Sequence, residues 1–139
     1  MATTEGAPGD RWAQLRVGLA ADVRRVAERF RGLSEARLLA ELPPHGSRAA
    51  AGRHAVRVLA DAAQGLDARD APTEPTWRPV PELSPFAVGD QVAVTGQDLL
   101  AALDAVGPEE AVWGPGGRRT ARDLVTDAAE TLAALRRLL

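Results

Sequence analysis

The chain has no cysteine, lysine, isoleucine, asparagine or tyrosine. The absence of cysteine excludes disulfides, a thiolate nucleophile and sulfur ligation of a metal. Lysine, isoleucine, asparagine and tyrosine have codons rich in A and T. Ala, Arg, Gly and Pro, with codons rich in G and C, dominate instead. The composition therefore points to a high-GC bacterial source, and Arg in place of Lys reflects codon supply as well as chemistry. No run approaches the roughly 18 consecutive apolar residues of a membrane span, so a membrane is not an expected partner. Residues 1–9 are small and polar and lack an apolar signal core; they read as a disordered tail, and the expected location is cytoplasmic. A basic surplus is also missing. Net charge is −2 and the arginines are interleaved with acids, so nucleic acid is not an expected partner.

What is present suits one globular domain over residues 10–139. With 139 residues, 45% hydrophobic and 26% charged, the chain can bury about two-thirds of its unfolded surface without a disulfide or metal. Periodicity predicts an all-α fold, an antiparallel four-helix bundle. Asp10 suits an N-cap. Trp12, Leu15, Leu19, Val23, Val26, Phe30 and Leu33 then follow at alternating spacings of three and four. Ser34 can cap a short continuation through Leu38, Leu39 and Leu42, stopped by Pro43 and Pro44. Ser47 caps a second helix with an alanine-rich seam (Ala55, Leu59, Ala62, Leu66) ending near residues 65–67. Pro72, Pro75, Pro79 and Pro81 make residues 67–83 a semi-rigid crossover, pinned by Trp77 and Val80. Ser84 and Pro85 start a third helix carrying Val88, Val92, Thr95, Leu99, Leu103 and Val106. A glycine-rich turn containing Trp113 leads to Thr120, the cap of a last helix with Ala121, Val125, Ala128, Leu132, Leu135 and Leu139 on its seam.

The third helix holds the most unusual pattern. Gly89 and Gly96 each cost about 1 kcal/mol relative to alanine inside a helix, and seven-residue spacing puts them on one face. Asp90 with Gln97, and Gln91 with Asp98, repeat that spacing. The patch reads as a close helix crossing, within the chain or across a dimer, or else as the lining of a polar pocket. Asp98, expected near the bundle interior, is the one carboxylate suited to acid–base work; the more ordinary role for it is a boundary residue bonded to a neighbouring helix or Arg. His45 and His54 are the only histidines. One is in a loop and the other nine residues on, a poor match to metal-ligand spacing, so no metal and no cofactor is expected and His54 reads as a boundary residue. The turn at residues 114–120 could hold an anion on backbone N–H groups, but it lacks the Lys-Ser/Thr ending of a phosphate loop and reads as a plain turn.

Thr95, Gly96, Gln97, Asp98 and Leu99, followed by Leu100, Ala101, Ala102 and Leu103, resemble a helix of actinobacterial DinB-like and mycothiol-dependent maleylpyruvate isomerase-like bundles. The resemblance covers about a dozen residues and implies a four-helix fold with a long middle crossover. The metal-binding histidines of that family have no counterparts here, and Gln97 stands where a more reactive residue would be sought. The resemblance therefore implies a member without metal chemistry. Two functional expectations follow. In the first, the chain is a non-catalytic helical bundle acting by association, as a homodimer or with a protein partner. In the second, it is a metal-free DinB-like bundle binding a small molecule or thiol between its helices. Gly89, Asp90, Gly96, Gln97, Asp98, His54 and Trp113 are the candidate ligand or interface residues, and an enzyme using Asp98 is the weaker third reading.

Overall fold

The computed structural model describes residues 8–139. Four long helices dominate: α1 (Pro8–Arg31), α3 (Arg48–Asp67), α4 (Val88–Leu103) and α5 (Ala121–Leu138), with a short α2 (Glu35–Leu39) after α1. Helices α1 and α3 each pack against both α4 and α5. Two antiparallel hairpins interrupt the helical order. One joins β1 (Glu41–Leu42) to β2 (Gly46–Ser47); the other joins β3 (Ala111–Gly114) to β4 (Gly117–Thr120). The fold is thus mostly helical, and the purely all-α expectation is corrected by these strands. Among the described residues no helix is long and apolar enough to cross a membrane.

Local chemistry accounts for the element ends. The expected tail lies outside the described residues up to residue 7, whereas Pro8 and Gly9 are already helical. Asp10 therefore sits in the first turn of α1 and not at its cap, where an acid still favours the positive end of the helix. Ser34 Oγ accepts from the Arg37 amide, Ser47 Oγ from Ala50 and Thr120 Oγ1 from Asp123, each satisfying an otherwise unpaired amide. Ser84 Oγ accepts from Phe86, but the helix it opens begins as a 3-10 turn, Pro85–Ala87, before α4. Leu42, expected in the short helical continuation, lies instead in β1, because α2 ends at Leu39 and the chain turns back through Pro43 and Pro44.

The apolar seams meet in one core. Leu19, Val23, Leu59, Leu99, Leu132 and Leu135 are almost fully buried, and so are Val88, Val92, Leu103 and Val106. Thr95 is the one buried polar side chain among the described residues, and its hydroxyl donates to the Gln91 carbonyl at 2.7 Å. Glycine sets how closely the helices meet. A Cβ on Gly96 would stand 2.5 Å from Val23 Cγ1, and one on Gly89 would stand 2.8 Å from the Ala27 carbonyl oxygen. The glycine face of α4 is therefore the site of its crossing with α1. A methyl group on Gly18, on the exposed side of α1, would meet nothing within 4 Å.

These two environments predict opposite signs. Gly96→Ala must displace the buried, β-branched side chain of Val23, and overpacking of this kind costs about 1–3 kcal/mol. Gly18→Ala only restricts the unfolded chain and should stabilise by about 0.4–1 kcal/mol. Denaturant melts of both variants check this, and the Gly96→Ala loss should be independent of protein concentration. A stabilising Gly96→Ala would contradict the α1–α4 contact.

Candidate functional site

The crossover, residues 68–84, contains Pro72, Pro75, Pro79 and Pro81, which have no amide hydrogens. It cannot pair as a central strand, and side chains of the surrounding elements take up its backbone groups instead. Trp113 Nε1 and Arg118 Nη2 both donate to the Ala71 carbonyl, at 3.1 and 2.9 Å, and Arg118 Nη1 donates to that of Arg69 at 2.6 Å. Arg118 and Trp113 face each other across the β3–β4 hairpin, with the guanidinium 4.1 Å from the ring centroid. Glu74 accepts from the Gly116 amide at 3.0 Å and from Trp77 Nε1 at 3.4 Å. Gln64 of α3 pairs with both backbone groups of Arg78, accepting its N–H at 2.8 Å and donating to its carbonyl at 3.2 Å. Gln91 of α4 donates to Pro81, and Arg53 of α3 donates to Leu83.

Held in this way, the crossover forms one wall of a groove of about 500 Å³ whose other wall is α3. Arg53, Arg57 and Asp61 line it from α3 at successive helical turns, while Arg78 and Glu82 face them from the crossover. Trp77, Val80 and Val56 supply apolar surface. Arg53 is partly committed: Nη1 lies 3.5 Å from Glu82, and Nη2 donates to the Leu83 carbonyl. Its Nε is buried with no acceptor among the described residues. Among the described residues, the guanidinium groups of Arg57 and Arg78 make no hydrogen bond or ion pair. Asp61 is half-buried. Loss of solvent pushes its carboxyl above the ordinary carboxylate range, and the Arg57 guanidinium opposes that rise.

The residues singled out from the sequence are not gathered in this groove. Gly89 and Gly96 are buried against α1, the within-chain form of the expected crossing. Asp90 is exposed and pairs with Arg31 at 2.9 Å. Gln97 is exposed. Asp98 is exposed too, contrary to its expected place near the interior, and lines a second groove between α3 and α4 of about 550 Å³, with Arg78 at the shared rim. His54 is exposed and, with His45, borders a small pocket of about 180 Å³ beside α5; the two histidines that the sequence separates are thus neighbours of one cavity. Among the described residues no three His, Asp or Glu side chains gather to hold a metal. Trp113 belongs to the clamp on the crossover. The Gly-rich turn does meet an anion through its backbone, and that anion is the chain's own Glu74.

Sequence reasoning missed Arg53, Arg57 and Asp61. Their four-residue spacing places them in one row along α3, opposite the crossover that carries Trp77, and that spacing was the available signal. No protein-family model, curated protein or solved structure matches this chain.

Asp61 makes stability depend on pH in a defined direction. Its carboxyl is raised above its ordinary value of 3.8, so the folded state binds this proton more tightly than the unfolded state. Ionised Asp61 therefore costs stability. The cost is absent below the ordinary carboxylate value, grows as pH rises through the folded value and is complete above it. Asp61→Asn should melt higher than the parent at pH 7, with the gap narrowing toward pH 3. A gap that stays constant or widens on acidification would show that Asp61 is not desolvated.

Proposed function

We propose that this chain binds a small anionic molecule in the groove between α3 and the crossover. The observation that supports this most directly is the state of the arginines. Three arginines line one half-apolar groove, Arg57 and Arg78 with exposed side chains, and Arg53 Nε is buried without an acceptor among the described residues. A buried donor left unsatisfied costs about 1–3 kcal/mol, and native proteins ordinarily avoid it. A ligand oxygen drawn in as the Arg53 side chain turns toward the groove would remove that cost. Arginine also suits the task, since its planar fork matches carboxylate and phosphate. The apolar surface of Trp77, Val80 and Val56 suits the body of such a ligand, as in most small-molecule sites. This reading follows the metal-free bundle expected from the DinB-like resemblance, with the four long helices as an antiparallel bundle in a cytoplasmic setting.

The association reading has a separate support. Leu39, Leu83 and Phe86 are each more than half exposed, and α2, which carries Leu39, packs against the 3-10 turn that carries Phe86. Single exposed apolar residues are ordinary, whereas a contiguous group suits a protein partner or a second copy. The glycine face no longer speaks for association, because α1 covers it. The anion reading therefore takes precedence.

Benzoate and inorganic phosphate are suitable first probes, titrated into ¹⁵N-labelled protein. One or both should shift the Trp77 indole resonance and the amides of residues 53–61 in a saturable way. The double variant Arg57→Gln, Arg78→Gln should retain its fold and lose at least tenfold in affinity. Shifts scattered over the surface, or unchanged in the double variant, would reject the groove as an anion site.

A further inference from the structure

The groove that positions two uncommitted guanidiniums also holds one uncommitted carboxylate. Glu82 is engaged with Arg53. Asp61, by contrast, makes no hydrogen bond or ion pair among the described residues, although it lines the same cavity as Arg57 and Arg78. Arg57 and Asp61 stand one helical turn apart on α3, close enough for a pair. They are nevertheless in the less favourable order, with the base N-terminal to the acid, and no such pair forms. Asp61 is partly exposed and feels Arg57 only as a nearby charge, so its carboxylate is open to a donor brought by a ligand. A small molecule carrying an anion for Arg57 and Arg78 and a donor for Asp61 would engage all three groups that line this part of the groove.

We infer that the ligand of this groove is an α-substituted carboxylic acid with an apolar side chain: its carboxylate lies between Arg57 and Arg78, and the donor on its α-carbon goes to Asp61. The inference rests on the anion-binding reading and narrows it. The apolar side chain lies against Trp77 and Val80, which form the apolar part of the wall. The α-donor is an ammonium in an amino acid or a hydroxyl in a hydroxy acid. Both belong to the proposed class, because each carries its donor one carbon from the carboxylate. Other anions fit the arginines equally well but leave Asp61 without a donor.

Three probes of nearly equal shape separate these features: 3-phenylpropanoate, 3-phenyllactate and L-phenylalanine, measured by calorimetry or by Trp fluorescence on the full chain. At least one of the two donor-bearing acids should bind about tenfold or more tightly than 3-phenylpropanoate, as expected for a hydrogen bond to a charged group. Arg57→Gln should weaken binding of every probe that binds the parent. Asp61→Asn should abolish the advantage of L-phenylalanine if the donor is an ammonium, whereas a hydroxyl donor should keep most of its advantage because the Asn carbonyl still accepts. Melting curves establish that each variant is folded. Equal affinity for all three probes, with Arg57 still required, would overturn the α-donor inference and leave the anion site standing. Failure of all three to bind would overturn the inference as well, and saturable phosphate binding lost in the Arg57→Gln, Arg78→Gln variant would still uphold the anion site. An advantage of a donor-bearing acid that survives Asp61→Ala would overturn the role of Asp61.

Discussion

The backbone carbonyl of Trp113 rests directly on Gly65. A methyl group at residue 65 would overlap that oxygen outright, so this approach exists only because α3 presents bare backbone near its end. Much of the molecule depends on it. With β3 seated on α3, the indole of Trp113 and the guanidinium of Arg118 reach the carbonyls at residues 69 and 71, where α3 gives way to the crossover. The hairpin turn then places the Gly116 amide on Glu74, and Glu74 holds Trp77. The crossover is thereby directed back along α3, and the groove is the space left between them. A residue larger than glycine at position 65 would lift the hairpin and with it the anchor of the crossover.

The same small-residue logic governs the helices. Gly89 and Gly96 let α4 lie close to α1, and Gly52 lets α3 approach Val88 and Phe30. Glycines inside helices cost backbone entropy, and close contact with a neighbouring element offsets that cost through dispersion and burial. The helix crossings thus use up glycine surface that would otherwise be free to meet a partner. The uncommitted polar groups are elsewhere, on the face of α3 that turns toward the crossover. There, partial loss of solvent makes ionised Asp61 costly, and full burial does the same for the unpartnered Arg53 Nε. The proposed anion site would trade folding stability for binding, as functional sites with unpaired polar groups commonly do.

Local pattern alone determined the positions of the four long helices, their buried seams and the serine and threonine caps. Each of these depends on residues within one or two turns of each other: the three-four spacing of Leu19, Val23, Val26 and Phe30, or the oxygen of Ser47 three residues from the amide it accepts. The crossover was legible for a similar reason, since four prolines between residues 72 and 81 exclude a helix interior and a central strand. The β3–β4 hairpin was less legible. Its Pro115–Gly116 turn, with Gly116 at φ +97°, has the Pro-Gly chemistry of a type II turn, but only four residues flank it on each side and Gly114 breaks the alternation.

The tertiary structure decided what faces what. Nothing in the order of residues says that the glycine stripe of α4 meets α1 and not a second chain, because a bare helix face serves either contact equally. Nothing local brings His45 and His54 to one cavity, exposes Asp98, or turns Arg57 and Asp61 toward Arg78. Those outcomes depend on the path of the crossover, and that path depends on contacts between residues more than forty positions apart, such as Trp113 with Ala71. Helices are held by bonds between near neighbours, so the sequence by itself determines them; a groove is the gap between elements, and its lining exists only once distant parts of the chain have been brought together.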